Sequence, residues 1–161
     1  MEALGNGATD GLKLAANVAA MLIAFVSIVA MFNYLLSFAG TSLESILGTI
    51  FKPLAWSMGV PWNEAGSMGI LMGKKIVFTE LIAYGDLKSL LGTGEISDRT
   101  AIIASYALCG FANFGSIGIQ LGGIGGMAPG RKKDLAALVT KAMIGGALAS
   151  WLTATIAGIL I

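Results

Sequence analysis

Three uncharged, apolar stretches, residues 14–39, 100–124 and 142–161, leave this 161-residue chain few ways to fold. Each is long enough to cross a bilayer as a helix, which takes about 20 predominantly apolar residues. Hydrophobic residues make up 56% of the chain and charged ones 12%, with a mean hydropathy of +0.83, outside the pattern of soluble domains. The expected fold class is therefore an all-α integral membrane protein.

The three stretches differ in kind. Residues 14–39 are rich in Val, Ile, Met and Phe and hold no Gly or Pro, which predicts an unbroken scaffold helix long enough to tilt. Residues 100–124 are punctuated by Gly110, Gly115, Gly118, Gly122 and Gly123. They also carry Asn113, Ser116 and Gln120 near mid-membrane, which predicts a broken transmembrane helix. Residues 142–161 present Gly145, Gly146, Ala149, Ser150, Ala154 and Ala157, small residues that let another helix approach closely.

Two segments between the first and second stretches read as non-crossing. Residues 42–59 place Leu43, Ile46, Leu47, Ile50, Phe51, Leu54 and Ala55 on one stripe, with Glu44 and Lys52 outside it. This is the three-and-four spacing of an amphipathic helix, here an interfacial one with Trp56 and Trp62 at headgroup level. Residues 62–91 are too polar for a plain span yet strongly apolar between their charges, which predicts a re-entrant helical hairpin with its tip within 73–80. Glu80 lies there inside the apolar run 76–84, and an intramembrane carboxylate ordinarily faces a cavity or a substrate path. Its other reading is a hairpin-internal ion pair with Lys75 or Lys74. Asp86 and Lys88 are expected to cap or pair near the outer end.

A net charge of +1 offers no basic surface for nucleic acid. The cluster Arg131-Lys132-Lys133, in the short link before the last stretch, instead marks the cytoplasmic side, which puts the hairpin base outside. With one Cys and no His there is no internal disulfide, His-rich metal site or His base, and Cys109 reads as a small buried hydrophobe. The N-terminus lacks the pattern of a cleavable signal, so insertion is expected to rely on the spans. The glycine run at 122–126 lacks the Lys-Ser/Thr of a phosphate loop. No nucleophile–base pair appears, so an enzyme is not expected.

Four blocks resemble the concentrative nucleoside transporters. Gly73-Lys74-Lys75-Ile76-Val77-Phe78-Thr79-Glu80-Leu81-Ile82-Ala83-Tyr84 is similar to that family's signature, Gly/Ala-x-Lys-x-x-x-Asn-Glu-Phe-Val-Ala-Tyr. Ala107-Leu108-Cys109-Gly110-Phe111-Ala112-Asn113-Phe114-Gly115-Ser116-Ile117 resembles its Cys-Gly-Phe-Ala-Asn-Phe-Ser-Ser-Ile stretch. Met127 to Asp134 resembles the cytoplasmic link that follows, and Pro53 to Trp56 with Gly59 to Trp62 resembles the external helix. Thr79 stands where the family has Asn, Leu81 where it has Phe, and Gly115 where it has the first Ser.

The resemblance implies two inverted structural repeats with a midplane site, of which this chain looks like the second. It implies that Glu80 accepts hydrogen bonds from ribose hydroxyls, that Phe111 packs on the base, and that Asn113 and Ser116 contact the sugar, with Thr79 beside them. An ionised carboxylate is acceptor-only and suits a vicinal diol. For Asn113 and Ser116 the alternative is satisfaction of backbone groups freed by the helix break, and for Phe111 it is packing.

No cofactor is expected in this half. Sodium or a proton is implied as the coupling ion of the whole transporter, along with a nucleoside cargo, a plasma-membrane (cell inner membrane) location and a homotrimer. The first repeat, with its Gly-Gln-Thr-Glu hairpin, is absent from the chain and is expected on a separate or missing N-terminal partner. The competing reading is a non-transporting gate-like or regulatory membrane subunit of the same fold.

Overall fold

The computed structural model describes residues 2–161. It holds seven α-helices: α1 (Glu2–Ser37), α2 (Leu43–Ser57), α3 (Ala65–Val77), α4 (Glu80–Thr93), α5 (Asp98–Leu108), α6 (Phe114–Met127) and α7 (Lys132–Leu160), with a 3-10 turn at Pro129–Arg131 ahead of α7. No strand occurs among the described residues.

Two continuous helical segments, Glu2–Ser37 and Pro129–Leu160, are long and apolar enough to cross a membrane. The first contains residues 14–37 of the first apolar stretch. Only Val29 along α1 is buried, while Ile23, Phe32 and Tyr34 stand exposed, as expected of a helix that meets hydrocarbon or another protein rather than water. The stretch 100–124 is divided instead between α5 and α6 by a non-helical link at 109–113. Gly110 makes that link possible: its φ of +128° is open to glycine and strained for other residues.

The segment 62–91 forms a helical hairpin, α3 and α4, broken at Phe78 and Thr79. Thr79 is extended (φ −148°, ψ 160°) and occupies the N-cap of α4. Across the arms, Lys74 Nζ donates to Asp86 Oδ2 at 2.5 Å. Asp86 therefore pairs with Lys74 and not with Lys88, since residues two apart on a helix do not face each other.

Glycines set how closely α2 lies on α3. A Cβ on Gly73 would stand 2.8 Å from the Glu44 carbonyl oxygen, and one on Gly69 would strike the carbonyl of Gly48. Backbone therefore meets backbone, and the amphipathic segment is fixed to the first hairpin arm. At its far end Lys52 sits 4.6 Å over the ring of Trp62, and Trp56 meets Trp62 edge to face.

The main core joins Met68, Leu71 and Met72 of α3 with Ala83 and Leu87 of α4, Ile103, Ala107 and Leu108 of α5, and Ala154 of α7. The bases of the elements are tied by polar groups. The Ser97 N–H and hydroxyl donate to Glu64 Oε2 at 3.0 and 2.9 Å, and Arg99 donates to the carbonyls of Gly59 and Gly158. Along α6, Gly115, Gly118 and Gly123 meet Leu22, Met21 and Leu14 of α1, so the glycines of the divided stretch are where the long helix seats.

Candidate functional site

Four helix ends converge where the hairpin tip meets the link at 109–113. The C-termini of α3 and α5 and the N-termini of α4 and α6 all fall here, the result of two chain breaks at one depth. Helix N-termini carry partial positive charge, and Glu80 is the first residue of α4, where that charge favours a carboxylate.

A hydrogen bond joins the two breaks: Asn113 Nδ2 donates to Glu80 Oε2 at 3.1 Å. The rest of the Asn113 side chain closes the start of α6. Its Oδ1 accepts from Ser116 N at 2.7 Å, and Ser116 Oγ accepts from Asn113 N at 3.2 Å and donates to Asn113 O at 2.6 Å. This reciprocal capping box satisfies donors that a helix end leaves orphaned. Both residues are buried, so the amide and hydroxyl do serve the freed backbone, while Nδ2 reaches across to the hairpin.

Phe111 lies on the same link and is 75% exposed, with Leu81 at 78% on the facing tip. Both lie close in sequence to the Glu80–Asn113 contact, Leu81 directly after Glu80 and Phe111 two residues before Asn113, and both are open to the surface. Thr79 is half-buried beside Glu80, and its side chain makes no capping bond to α4. The structure thus brings Glu80, Thr79, Asn113 and Ser116 together around one junction and sets Phe111 outward from it. Phe114 faces away, its ring centroid 6.2 Å from that of Phe25 on α1.

Other contacts hold the junction in place. Tyr84 OH donates to the Ser105 carbonyl at 2.6 Å, tying α4 to α5, and Ser150 Oγ of α7 donates to the Cys109 carbonyl at 2.8 Å. Cys109 itself is exposed, contrary to the expectation of burial: α5 ends at Leu108, and the extended residue after it leaves the packed face. Sequence reasoning gave no role to Tyr84 or Ser150; their aromatic and small-residue settings pointed only to packing.

Neither lysine pairs with Glu80. Lys74 is engaged by Asp86, and Lys75 is completely buried with its Nζ lacking any hydrogen-bond partner. Among the described residues no group of three or more His, Cys, Asp or Glu is arranged to hold a metal ion. A cavity of about 280 Å³ between the hairpin arms is lined by Ser67, Lys74, Asp86 and Ser89, away from Glu80.

Comparison with known proteins identifies the family. The family model described as the Na+ dependent nucleoside transporter C-terminus matches residues 1–158. The chain is 48% identical to an uncharacterized transporter of Bacillus subtilis (strain 168), YutK, over 100% of its own length and 41% of the relative. It is 42% identical to the nucleoside permease NupC of Helicobacter pylori (strain ATCC 700392 / 26695), with the same coverage, and 41% identical to human solute carrier family 28 member 3, covering 99% of itself and 26% of that protein. A solved structure of a CNTnw variant in an intermediate state superposes with a TM-score of 0.87 at 44% identity, over 98% of this chain and 41% of that one. The chain spans less than half the length of these relatives. It belongs to the concentrative, Na+-dependent nucleoside transporter family, multi-pass plasma-membrane transporters and not enzymes, and corresponds to their C-terminal region.

Proposed function

We propose that this chain is the C-terminal half of a cation-coupled nucleoside symporter, and that the junction of hairpin tip and helix break binds the ribose and base near the membrane midplane. The observation that carries the reading is the Glu80 carboxylate, held at the start of α4 by Asn113 and bordered by the exposed ring of Phe111. Oε2 receives the amide, which leaves Oε1 and the remaining lone pairs for ribose hydroxyl donors. Phe111 supplies a flat apolar face for the base, and stacking on such a face tolerates different bases. Thr79 adds a hydroxyl at the tip, with Ser116 and Asn113 fixing the sugar side.

In this reading the hairpin α3–α4 is re-entrant, α5 and α6 are the halves of a broken span, and α2 lies in the interface. The 75% exposure of Phe111 and 78% of Leu81 support a half-site, because a recognition surface at membrane depth requires a facing wall. That wall, and the residues that accompany the co-transported sodium or proton, belong to the first repeat. The assembled protein is a trimer of such units in the plasma membrane.

The test is uptake of labelled uridine by cells lacking nucleoside transport. The chain alone should give background uptake, co-expression with a first-repeat chain should restore it, and Glu80→Gln should abolish the restored uptake. Robust uptake by the chain alone, or by the Glu80→Gln variant in the complemented cells, would overturn the reading.

A further inference from the structure

Two buried side-chain polar atoms among the described residues lack a hydrogen-bond partner, Lys75 Nζ and Trp151 Nε1, and of the two only the lysine can carry a charge. Its side chain is 0% exposed, among the largest fully buried side chains of the molecule, and its Nζ has no hydrogen-bond partner. Burying an ammonium without a partner is costly, and such a group is retained where its charge is used. Because the burial is complete within this chain, neither lipid nor another polypeptide can reach Nζ to compensate it. The compensation has to come from inside the junction.

Two features there are suitable. Lys75 lies in the last turn of α3, where carbonyl dipoles favour a cation. The carboxylates of the neighbouring elements are already engaged: Asp86 by Lys74, Glu44 by Asn33 and Glu64 by Ser97. What sets Glu80 apart is its place: it opens α4 directly after the two-residue tip that follows the last turn of α3, which holds Lys75, and its hydrogen bond comes from the neutral Asn113 amide, with no cation in contact. The two lie beyond ion-pair distance, so the attraction acts through the low-dielectric tip rather than by contact.

We propose that Lys75 is a positioning residue for substrate recognition: a tethered internal cation beneath the hairpin tip that holds the Glu80 carboxylate charged and in place for the ribose hydroxyls. A direct ion pair would occupy the oxygens that the ligand requires. A buried charge a short distance behind the tip offsets the carboxylate and leaves those oxygens free. This inference rests on the reading of Glu80 as the ribose acceptor, and it adds the group that makes Glu80 tolerable at membrane depth.

The experiment is a double-mutant cycle of Lys75→Met and Glu80→Gln, read in two ways. The first needs no ligand: thermal midpoints of the purified chain in lipid nanodiscs. Each single change leaves its partner's charge uncompensated and should lower the midpoint, whereas the double variant should lie no lower than the worse single one. Additive losses would overturn the proposal. If Lys75→Met does not accumulate, recovery of folded protein in the double variant supports the coupling, and failure of both variants overturns it.

The second reading is the preference for uridine over 2′,3′-dideoxyuridine in cells complemented with a first-repeat chain. Lys75→Met should reduce that preference by about tenfold or more, the worth of one charge-assisted hydrogen bond, and the double variant should match Glu80→Gln alone. An unchanged preference in folded Lys75→Met protein would show that Lys75 only fills space. Absence of uridine uptake in the unsubstituted complemented cells would count against the nucleoside reading, while the ligand-free cycle would still decide the role of Lys75.

Discussion

Replacing Asn113 separates the two tasks its side chain performs. Oδ1 caps α6 through Ser116 N at 2.7 Å, and Nδ2 holds Glu80 at 3.1 Å. Asn113→Ala loses both: about 1 kcal/mol for the cap and about 1.5–3 kcal/mol for a hydrogen bond to a charged group. Asn113→Ser keeps an oxygen at the cap but is too short to reach across to the hairpin, so it loses only the second part. If Glu80 is held for the ligand by Nδ2, both variants should weaken uridine recognition by roughly 10- to 150-fold in KM, the equivalent of that hydrogen bond. They should part in hydrogen exchange at the start of α6. The Ser116 amide should lose much of its protection in Asn113→Ala, because only the longer 3.2 Å contact to the Asn113 backbone carbonyl remains, and keep it in Asn113→Ser. The assays are uptake in the complemented cells and exchange on the purified chain. An unchanged uridine KM in Asn113→Ser would refute the latch, and equal protection of the Ser116 amide in Asn113→Ala and Asn113→Ser would refute the cap.

Two further outcomes follow from the packing and the charges. Gly69→Ala should lower the thermal midpoint sharply, because the new Cβ meets the Gly48 backbone carbonyl and overpacking costs at least about 1–3 kcal/mol; Gly66→Ala, with nothing within 4 Å, should be close to neutral. Partial burial pushes the Glu64 carboxyl upward, but hydrogen bonds from Thr100 and Ser97 outweigh it and hold the group below its ordinary value of 4.5. A depressed folded value means that the stabilisation is present above pH 4.5 and is lost as pH falls through the lower folded value. Thermal midpoints followed downward from pH 6 should therefore drop in this window, and Glu64→Gln should flatten the drop; an equal drop in both would exclude Glu64 as its source.

Much of this arrangement was legible because breaks leave marks in composition. Glycines, an Asn and a Ser inside 100–124 announced that the helix could not be continuous, and the charges inside 62–91 announced a hairpin. What hydropathy could not convey was which polar groups meet. Lys75 and Lys74 are adjacent and chemically identical, yet one is paired across the hairpin and the other is sealed in the core, since consecutive residues of a helix point in different directions. Cys109 looked like core because of its residue type, but its place one residue past the end of α5 decides its exposure. The glycines at 48, 69 and 73 carry no mark in hydropathy; only the docked pair α2–α3 shows them as the condition for backbone contact.

The chemistry of the four helix ends also bears on what kind of ligand the junction suits. A bare helix N-terminus attracts anions, because its first N–H groups lack partners. Here neither N-terminus is bare: the Asn113–Ser116 box takes the Ser116 N–H of α6, and a carboxylate stands at the first residue of α4. The junction therefore offers an excess of acceptors beside an apolar ring. A phosphorylated ligand would bring negative charge against Glu80, and at the α6 end the Ser116 N–H is already taken by Asn113. A neutral ligand with adjacent hydroxyls and a flat heterocycle meets the same surface with donors for the carboxylate and a face for Phe111. If the junction binds as proposed, it should favour a nucleoside over a nucleotide without a separate exclusion device, because Glu80 and the capping box occupy the helix starts rather than leaving them open.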